Sequence, residues 1–305
     1  MKDFVYRCLV VLQKIFGSWI FLLIAWHVAT GYFLLFPRRV AVSVRFYRRL
    51  FPDRGRRYAL WCAWQQYHHF VHVFLDRFRL AEGDELVMTQ EGLEHIVAAA
   101  ESGRGGVILM SHVGSWEIAA RLLRHQGRNH PCMRLLLYLG AKHREQIERR
   151  QKKSVEESGI RVISVPENGG SAMDILEGLN FLREGGLVSL TGDRLWSREQ
   201  RAVTVRFAGC EARIPEIPYL LAMLSGAPLL IFFGYRTERG AYHLIAKPPL
   251  FITKASRGER NRAVEKAAQA YADLLADTVR AHPYEWYHFE PFLTKPGHGK
   301  ESAED

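Results

Sequence analysis

The sequence lacks the short motifs that identify several common biochemical functions. Its four cysteines are scattered and form no C-x-x-C pair, so neither a zinc site nor a redox pair is indicated. Neither G-x-x-x-x-G-K-[ST] nor G-x-G-x-x-G occurs, and the use of ATP or of a nicotinamide dinucleotide is therefore unsupported. We accordingly expect an activity that needs no metal ion and no cofactor.

Acidic residues are too few to balance the basic ones. The 305 residues include 32 of Asp and Glu against 42 of Lys and Arg, a formal net charge of +10, and 12% are aromatic. A basic, aromatic chain suits either nucleic acid or an anionic membrane surface. Because the basic residues are spread along the chain without a recognition helix or stacking motif, we expect no nucleic-acid partner. A membrane-tethered protein that binds polyanions remains an alternative, supported by charge alone.

Charged residues are also absent from residues 15–36, a run of 22 residues rich in apolar and aromatic side chains. As a helix this run would be about 33 Å long, close to the thickness of a bilayer. It is too long for a signal peptide, and no small-x-small cleavage site follows. Five arginines follow by position 49, a bias that favours the cytoplasmic side for that segment. We predict a membrane-anchoring helix, spanning or interfacial, and a second amphipathic helix over residues 58–79; a buried core helix is the alternative to the anchor.

Beyond about residue 85, apolar runs typical of strands alternate with amphipathic segments typical of helices. Strands are predicted over residues 106–111, 133–139, 161–165, 186–191, 203–208, 228–235 and 242–247. Helices are predicted over residues 90–101, 115–126, 142–157, 171–184, 214–225 and 259–281. This alternation predicts an α/β fold with a mostly parallel mixed sheet flanked by helices. We expect three regions: an N-terminal membrane anchor and helical region (1–80), an α/β domain (81–295) and a polar tail (296–305).

The strand predicted over residues 106–111 ends at a serine–histidine pair, and a turn of small residues leads into the next helix. His112 therefore lies at the carboxyl end of a strand, where open α/β sheets bind their ligands. Glu117 follows five positions later, about one and a third helical turns away. We predict that Glu117 orients the imidazole and that His112 acts as a general base. A surface ion pair or an interior histidine is the alternative interpretation.

Two further groups of polar residues are candidates for the same site. Asp193 and Arg194 follow the strand predicted over residues 186–191, so Asp193 could line the sheet edge that carries His112; a turn aspartate is the alternative. The helix predicted over 142–157 is strongly basic and includes Arg149 and Arg150. Its charges form either a solvated face or a phosphate site, since guanidinium groups bind phosphate in a bidentate manner.

Several blocks follow the histidine motif in a characteristic order: Val205–Gly209, Ser225–Leu229 and the aromatic block Tyr284–His288. Together with His112-x4-Glu117, they resemble the bacterial lipid A late acyltransferases, the lauroyl and myristoyl transferases within the lysophospholipid acyltransferase superfamily. The resemblance covers about residues 15 to 293.

The resemblance implies a membrane-associated enzyme of lipid A and lipopolysaccharide biosynthesis. It would transfer a fatty acyl chain from a thioester of acyl carrier protein or CoA to a hydroxyl of a lipid A-type glycolipid. His112 would be the base and Glu117 its partner, while Arg149 or Arg150 would bind the acceptor phosphate. Asp193 would organise the site through Arg194, and both residues are expected to contribute to substrate binding. The enzyme is expected at the bacterial inner membrane, with its catalytic domain on the cytoplasmic side.

Two segments depart from the family pattern and leave the acceptor open. Tyr138–Lys142 replaces a Tyr-Arg-x-x-x-Asn-Pro segment, and Trp286–Glu290 replaces a Trp-x-x-Arg-Arg ending. A glycerophospholipid, an aminolipid or a polyene lipid are alternative acceptors, although the E-G-T-R block of the glycerophospholipid branch is missing. A non-catalytic scaffold of the same fold is a further alternative, against which the intact His112 and Glu117 argue.

Overall fold

A computed structural model describes residues 18–81, 86–120, 130, 132–141, 160–166, 171–197, 199–238, 240–253, 256 and 258–294. The predicted helix over residues 142–157 and the second half of the helix predicted over 115–126 lie outside these residues. The described part of the latter is helical over residues 116–120.

Three helices precede the sheet: α1 (Ser18–Leu35), α2 (Pro37–Leu50) and α3 (Gly55–Ala81). Pro37 interrupts the apolar run because its ring lacks the N–H of a helix interior but suits the first turn of a new helix. Among the described residues, no single helix is long and apolar enough to cross a bilayer. α1 and α2 meet that requirement only as a pair, and they are bent by 90° at the break. The membrane anchor therefore stays a prediction.

Aromatic side chains pack α1 against α3. Tyr32 stacks on Tyr67 with ring centroids 5.7 Å apart, and Phe33 meets Trp64 edge-on at 5.1 Å. Such aromatic pairs add to the stabilisation that burial alone provides. One face of α1 is therefore covered by the amphipathic helix predicted over 58–79, which the structure extends to Gly55–Ala81.

The main sheet has seven strands in the order β1-β9-β8-β2-β5-β3-β4. The pairs β8/β2, β2/β5, β5/β3 and β3/β4 are parallel, whereas β9 runs antiparallel to β8 and pairs in parallel with the edge strand β1. The mostly parallel mixed sheet is thus confirmed. The strands are β1 (Val87–Glu91), β2 (Gly106–Met110), β3 (Leu135–Ala141), β4 (Arg161–Pro166), β5 (Leu187–Thr191), β8 (Leu229–Glu238) and β9 (Ala241–Ala246).

Helices flank this sheet, and its central strands are buried on both faces. Val107 and Leu109 of β2 point into one core cluster, and Ile108 and Met110 point into the other. This two-sided burial explains the uninterrupted apolar run of a parallel strand. The remaining helices are α4 (Leu93–Glu101), α5 (Ala172–Arg183), α6 (Ile217–Ser225) and α7 (Arg260–Ala281).

A second, three-stranded antiparallel sheet was not predicted. It consists of β6 (Ala202–Phe207), β7 (Cys210–Pro215) and β10 (Leu293–Thr294) in the order β10-β7-β6. Ala208 and Gly209 both have positive φ and form the two-residue turn of a hairpin. The predicted helix start at residue 214 is therefore wrong, because β7 occupies the chain up to Pro215.

The N-terminal helices share the larger core cluster with the main sheet. Tyr47 of α2 and Cys62 of α3 are fully buried in the cluster that also contains Leu109 of β2 and Trp286. The Tyr47 hydroxyl donates a 2.5 Å hydrogen bond to the carbonyl of Pro283. The apolar core is thus continuous across residue 80, and the division of the chain into separate regions at that residue stays a prediction.

Candidate active site

His112 and Asp193 meet because the strands that precede them are neighbours in register. In the parallel pair β2/β5, Met110 lies opposite Thr191. His112 and Asp193 each lie two residues beyond these strand ends, so they emerge side by side at the carboxyl edge of the sheet. His112 Nδ1 is 2.8 Å from Asp193 Oδ1. The predicted position of both residues at one edge is confirmed.

The Asp193 carboxylate is fully buried and accepts three hydrogen bonds. The His112 ring binds Oδ1, while the backbone N–H of His112 and the indole N–H of Trp286 bind Oδ2 at 2.8 and 2.7 Å. Burial by itself raises the pKa of Asp193, but the charge interaction and hydrogen bonds with His112 outweigh it and hold that pKa well below its usual range. An ionised Asp193 accepts a hydrogen bond from the Nδ1–H of His112. In the neutral ring, Nε2 then carries the lone pair.

The C-terminal strap, defined here as residues 284–290, closes over the histidine. The backbone N–H of Tyr287 donates to the carbonyl of His112 at 2.8 Å, and the N–H of Gly114 donates to the carbonyl of Glu285 at 2.7 Å. Trp286, 1% exposed, is thereby held with its indole N–H against Asp193 Oδ2. The aromatic block of the sequence contributed to the family resemblance, but its contact with the carboxylate was not predicted.

Gly114 fixes the turn that follows His112. Its φ of +69° lies in the left-handed region, and a Cβ at this position would be 1.8 Å from the carbonyl oxygen of Gly234 on β8. Both observations exclude any other residue without a backbone shift. The glycine in the His112-x4-Glu117 motif therefore sets the path of the chain between the sheet edge and the helix that begins at residue 116.

The carboxylate that orients His112 through Nδ1 is Asp193, and the prediction that assigned this contact to Glu117 is corrected here. Glu117 Oε2 is 3.0 Å from Arg77 Nε of α3, and its side chain is 7% exposed. The turn at Gly114 directs the chain so that Glu117 lies against α3. Glu117 is therefore not in contact with Nδ1 of His112, although the two residues are only five positions apart. Whether Glu117 takes part in the reaction stays a prediction.

The three arginines expected to bind substrate have different outcomes. Arg194 forms an ion pair through Nη2 with Oε1 of Glu290 in the C-terminal strap. This ion pair ties Arg194 to the strap, and no described contact links Arg194 to Asp193; its role in substrate binding stays a prediction. Arg149 and Arg150 lie outside the described residues, so their binding of acceptor phosphate stays a prediction.

A second histidine, which sequence reasoning missed, lies beside His112. The His288 ring stacks on Trp286 with centroids 4.9 Å apart and meets the His112 ring edge-on at 5.7 Å. Burial lowers the pKa of His288 to about 4, so its imidazole is neutral near pH 7. The sequence feature that could have pointed to His288 is its position in the aromatic block, two residues after Trp286.

A polar network behind the site ties α3 to the strap and to β8. His69 Nδ1 is 2.9 Å from Glu285 Oε1, and the Tyr287 hydroxyl donates to Glu285 Oε2 at 3.0 Å. Asp76 of α3 pairs with Arg236 of β8 at 2.7 Å. Within the described ranges, no group of three or more His, Cys, Asp or Glu side chains could hold a metal ion.

The arrangement has the elements of general-base catalysis. His112 is partly open, with 21% of its side chain exposed, and no described residue forms a hydrogen bond with its Nε2. A neutral imidazole whose Nδ1–H is held by a buried carboxylate can take a proton at Nε2, and the carboxylate then stabilises the imidazolium.

Comparison with known proteins shows that the residues of this site lie within the part of the chain that matches a protein family. The family model described as "Bacterial lipid A biosynthesis acyltransferase" matches residues 70–294, which include His112, Asp193 and the strap. Two similar relatives are the phosphatidylinositol mannoside acyltransferases of Mycobacterium tuberculosis strains CDC 1551 / Oshkosh and H37Rv. Each is 28% identical over 200 residues, covering 66% of this chain and 58% of the relative.

A third relative is the phosphatidylinositol mannoside acyltransferase of Mycolicibacterium smegmatis. It is 25% identical over 217 residues, which cover 71% of this chain and 64% of the relative. The chain thus matches less than two thirds of the length of these relatives.

Proposed function

The chain belongs to the bacterial lipid A biosynthesis acyltransferase family, and from that premise we propose that it transfers a fatty acyl group from a thioester to a hydroxyl of a membrane lipid. The observation that carries this proposal is the hydrogen bond between His112 Nδ1 and the buried carboxylate of Asp193. It leaves Nε2 as the basic nitrogen of a partly exposed ring, at the edge of the sheet where α/β folds bind their ligands.

The proposed reaction is a direct attack of the acceptor hydroxyl on the thioester carbonyl. A hydroxyl attacks poorly unless a base removes its proton, and His112 Nε2 accepts that proton as the C–O bond forms. Asp193 stabilises the resulting imidazolium. When the tetrahedral intermediate collapses, the C–S bond breaks and the leaving sulfur takes the proton from His112. The products are an ester and a free thiol.

The serines next to His112 are poorly placed to form an acyl-enzyme. Ser115 is 2% exposed, and its hydroxyl accepts the backbone N–H of Ile118 at the start of the helix. The hydroxyl of Ser111 accepts the backbone N–H of Val113. Serine hydroxyls used in this way fix local backbone structure, which supports direct transfer.

We propose a glycolipid as the acceptor. The family name refers to lipid A, whereas the names of the three relatives refer to phosphatidylinositol mannosides. A sugar-bearing lipid is common to both, so a lipid A-type glycolipid and a mannosylated phospholipid are the two acceptors to test first. Acyl carrier protein or acyl-CoA would supply the thioester, and the positive net charge of the chain would attract either acidic donor.

We also propose that the first two helices hold the enzyme on the cytoplasmic face of a bacterial inner membrane. α1 exposes large apolar residues, among them Trp19, Val28 and Leu35 at 59%, 66% and 76%. Arg38 and Arg39 at the start of α2 are exposed next to them. An apolar face flanked by cations favours binding to anionic lipid, with each nearby cation contributing about 1 kcal/mol.

The proposed base is tested with purified full-length protein, an acyl thioester and extracted glycolipids. We expect His112→Ala to lower turnover by about 10²–10⁴-fold, the usual contribution of a positioned base. Ser115→Ala is the matched control and should keep turnover within about threefold, because its hydroxyl only caps a helix. A His112→Ala protein that is folded and fully active would refute the proposal.

The acceptor is identified by mass spectrometry of total lipids from a deletion strain and its parent. The proposal predicts a glycolipid in the deletion strain that is lighter by one acyl chain and returns to its parental mass on complementation. A lipid profile unchanged by the deletion would contradict it.

A further inference from the structure

His288 lies beside His112, and the proposed reaction assigns it no role. The two imidazole rings are 5.7 Å apart between centroids and perpendicular at 87°. His288 comes from the C-terminal strap, whereas His112 comes from the end of β2. Two different parts of the fold therefore bring two imidazoles to one place.

The hydrogen-bonding state of the His288 ring follows from its contacts. Its Nδ1 is 3.2 Å from the carbonyl oxygen of Glu290, and a carbonyl can only accept, so Nδ1 carries the proton. The neutral ring then has an acceptor at Nε2. In the part of the chain that the structure describes, Nε2 of His288 forms no hydrogen bond.

The ring is held in place on several sides. Trp286 stacks on one face at 4.9 Å, and Phe292 meets the ring at 5.2 Å. Arg194 pairs with Glu290, the residue whose carbonyl binds Nδ1. Since burial lowers the pKa of His288 to about 4, the ring stays a neutral acceptor under the conditions in which His112 can act as a base.

We propose that Nε2 of His288 binds the acceptor by accepting a hydrogen bond from a second hydroxyl, next to the one that His112 deprotonates. This inference rests on the proposed function and assigns the acceptor to headgroups with neighbouring hydroxyls. It makes His288 a residue that determines acceptor specificity.

The chemistry of the two substrates decides which one His288 would bind. A thioester group has no hydrogen-bond donor, so a neutral nitrogen acceptor gains nothing from it. A sugar or polyol presents several donors on adjacent carbons, and hydroxyl-to-acceptor distances of about 2.7–3.0 Å let two of them reach two nitrogens on rings this close. A lipid with a single hydroxyl would have no second donor for Nε2 of His288. This nitrogen would then lose its water without gaining a hydrogen bond, which weakens the binding of that lipid.

The test uses purified full-length protein with decanoyl-CoA as donor and octyl mannoside as acceptor probe. Product analysis shows which hydroxyl is acylated, and octyl mannosides that lack each neighbouring hydroxyl are then compared with the parent by kcat/KM. We expect wild type to prefer the parent by about 5- to 100-fold over one of these deoxy forms, the cost of an unpaired buried acceptor.

The variants separate a binding role from a structural one. His288→Phe keeps a flat ring on Trp286 but removes the acceptor, so the preference should fall to about onefold, while His288→Gln, which keeps an acceptor, should retain part of it. His282→Phe is the matched control. His282 also lies near the start of the strap, stacked on Tyr235 at 3.8 Å, and its loss should leave the preference unchanged.

The outcomes distinguish the inference from the proposed function. If wild type acylates all the mannosides equally, or His288→Phe keeps the wild-type preference, the inference is overturned and the proposed function stands. If wild type transfers no acyl chain to octyl mannoside, phosphatidylinositol mannosides or lipid A precursors, the proposed function fails and the inference fails with it.

Discussion

Two carboxylates accompany His112, and the regions that hold them are built differently. Asp193 is fully buried below the strap and accepts three N–H groups, two of them from His112 itself. Glu117, the last residue of the His112-x4-Glu117 motif, pairs instead with Arg77 of α3. The difference shows that sheet register, rather than distance along the chain, decides which carboxylate orients the base.

Asp193→Asn should have the largest effect. An amide in place of the carboxylate no longer stabilises the imidazolium and can force the wrong tautomer on His112, so we expect kcat to fall by about 10²–10⁴-fold. Steady-state kinetics on protein whose thermal unfolding is checked in parallel measures this. A fall of less than about threefold would remove Asp193 from the orienting role.

Acid should destabilise both regions, the strap more than α3. Burial lowers the pKa of His288 in the strap to about 4, and burial together with Arg236 lowers the pKa of His72 in α3 to about 4. Both rings have ordinary pKa values near 6.5 when unfolded, so the unfolded chain binds more protons below that pH. The contribution of each neutral ring to stability is fully present above about pH 6.5 and is lost as the pH falls towards 4. The loss is up to about 3 kcal/mol for the buried His288 and smaller for the half-buried His72, whose charge solvent screens.

The pH prediction is checked by urea unfolding at pH 7.5 and pH 4.5. We expect His72→Phe and His288→Phe each to reduce the difference in unfolding free energy between the two pH values. Equal differences in wild type and both variants would show that neither ring remains neutral in the folded protein.

Glu117→Gln should change stability more than catalysis. The amide keeps a hydrogen-bond acceptor for Arg77 but loses the charge, so we expect a loss of about 1–3 kcal/mol in the free energy of unfolding. We expect kcat to fall far less than in Asp193→Asn. A fall in kcat as large as that of Asp193→Asn, with the fold intact, would restore Glu117 as the orienting carboxylate.

Trp286→Phe should have the smallest effect of the four. It removes one N–H donor from Asp193 while it keeps an aromatic ring in the core, which corresponds to about 1–2 kcal/mol or roughly tenfold in kcat. Kinetics and unfolding on the same preparation measure both quantities. An unchanged kcat would mean that the two His112 bonds alone fix the carboxylate.

The sequence predicted the parts of this molecule that depend on local pattern. The strand over residues 106–111 and the one over 186–191 lie within a residue of β2 and β5, and the apolar runs follow from burial on both sheet faces. His112 and Asp193 were placed at one sheet edge because the carboxyl ends of parallel strands share that edge.

The rest depends on contacts between distant segments, which local pattern does not encode. The partner of Glu117 is set by the position of α3, and the partners of Asp193 include an indole 93 positions away. β7 was not predicted, although Ala208 and Gly209 form a hairpin turn that leads into it. Its last residues fitted the start of an amphipathic helix, which was predicted from residue 214. The aromatic block of the strap carried no local pattern that would place it on His112.

The most direct test of the central claim is the tautomer of His112, measured by ¹⁵N NMR on full-length protein with labelled histidine, with His112→Gln to assign the resonance. We expect a proton on Nδ1 and none on Nε2 in wild type and in Glu117→Gln, and a changed spectrum in Asp193→Asn. A proton on Nε2 in wild type, or a His112 spectrum that changes with Glu117 and not with Asp193, would contradict it.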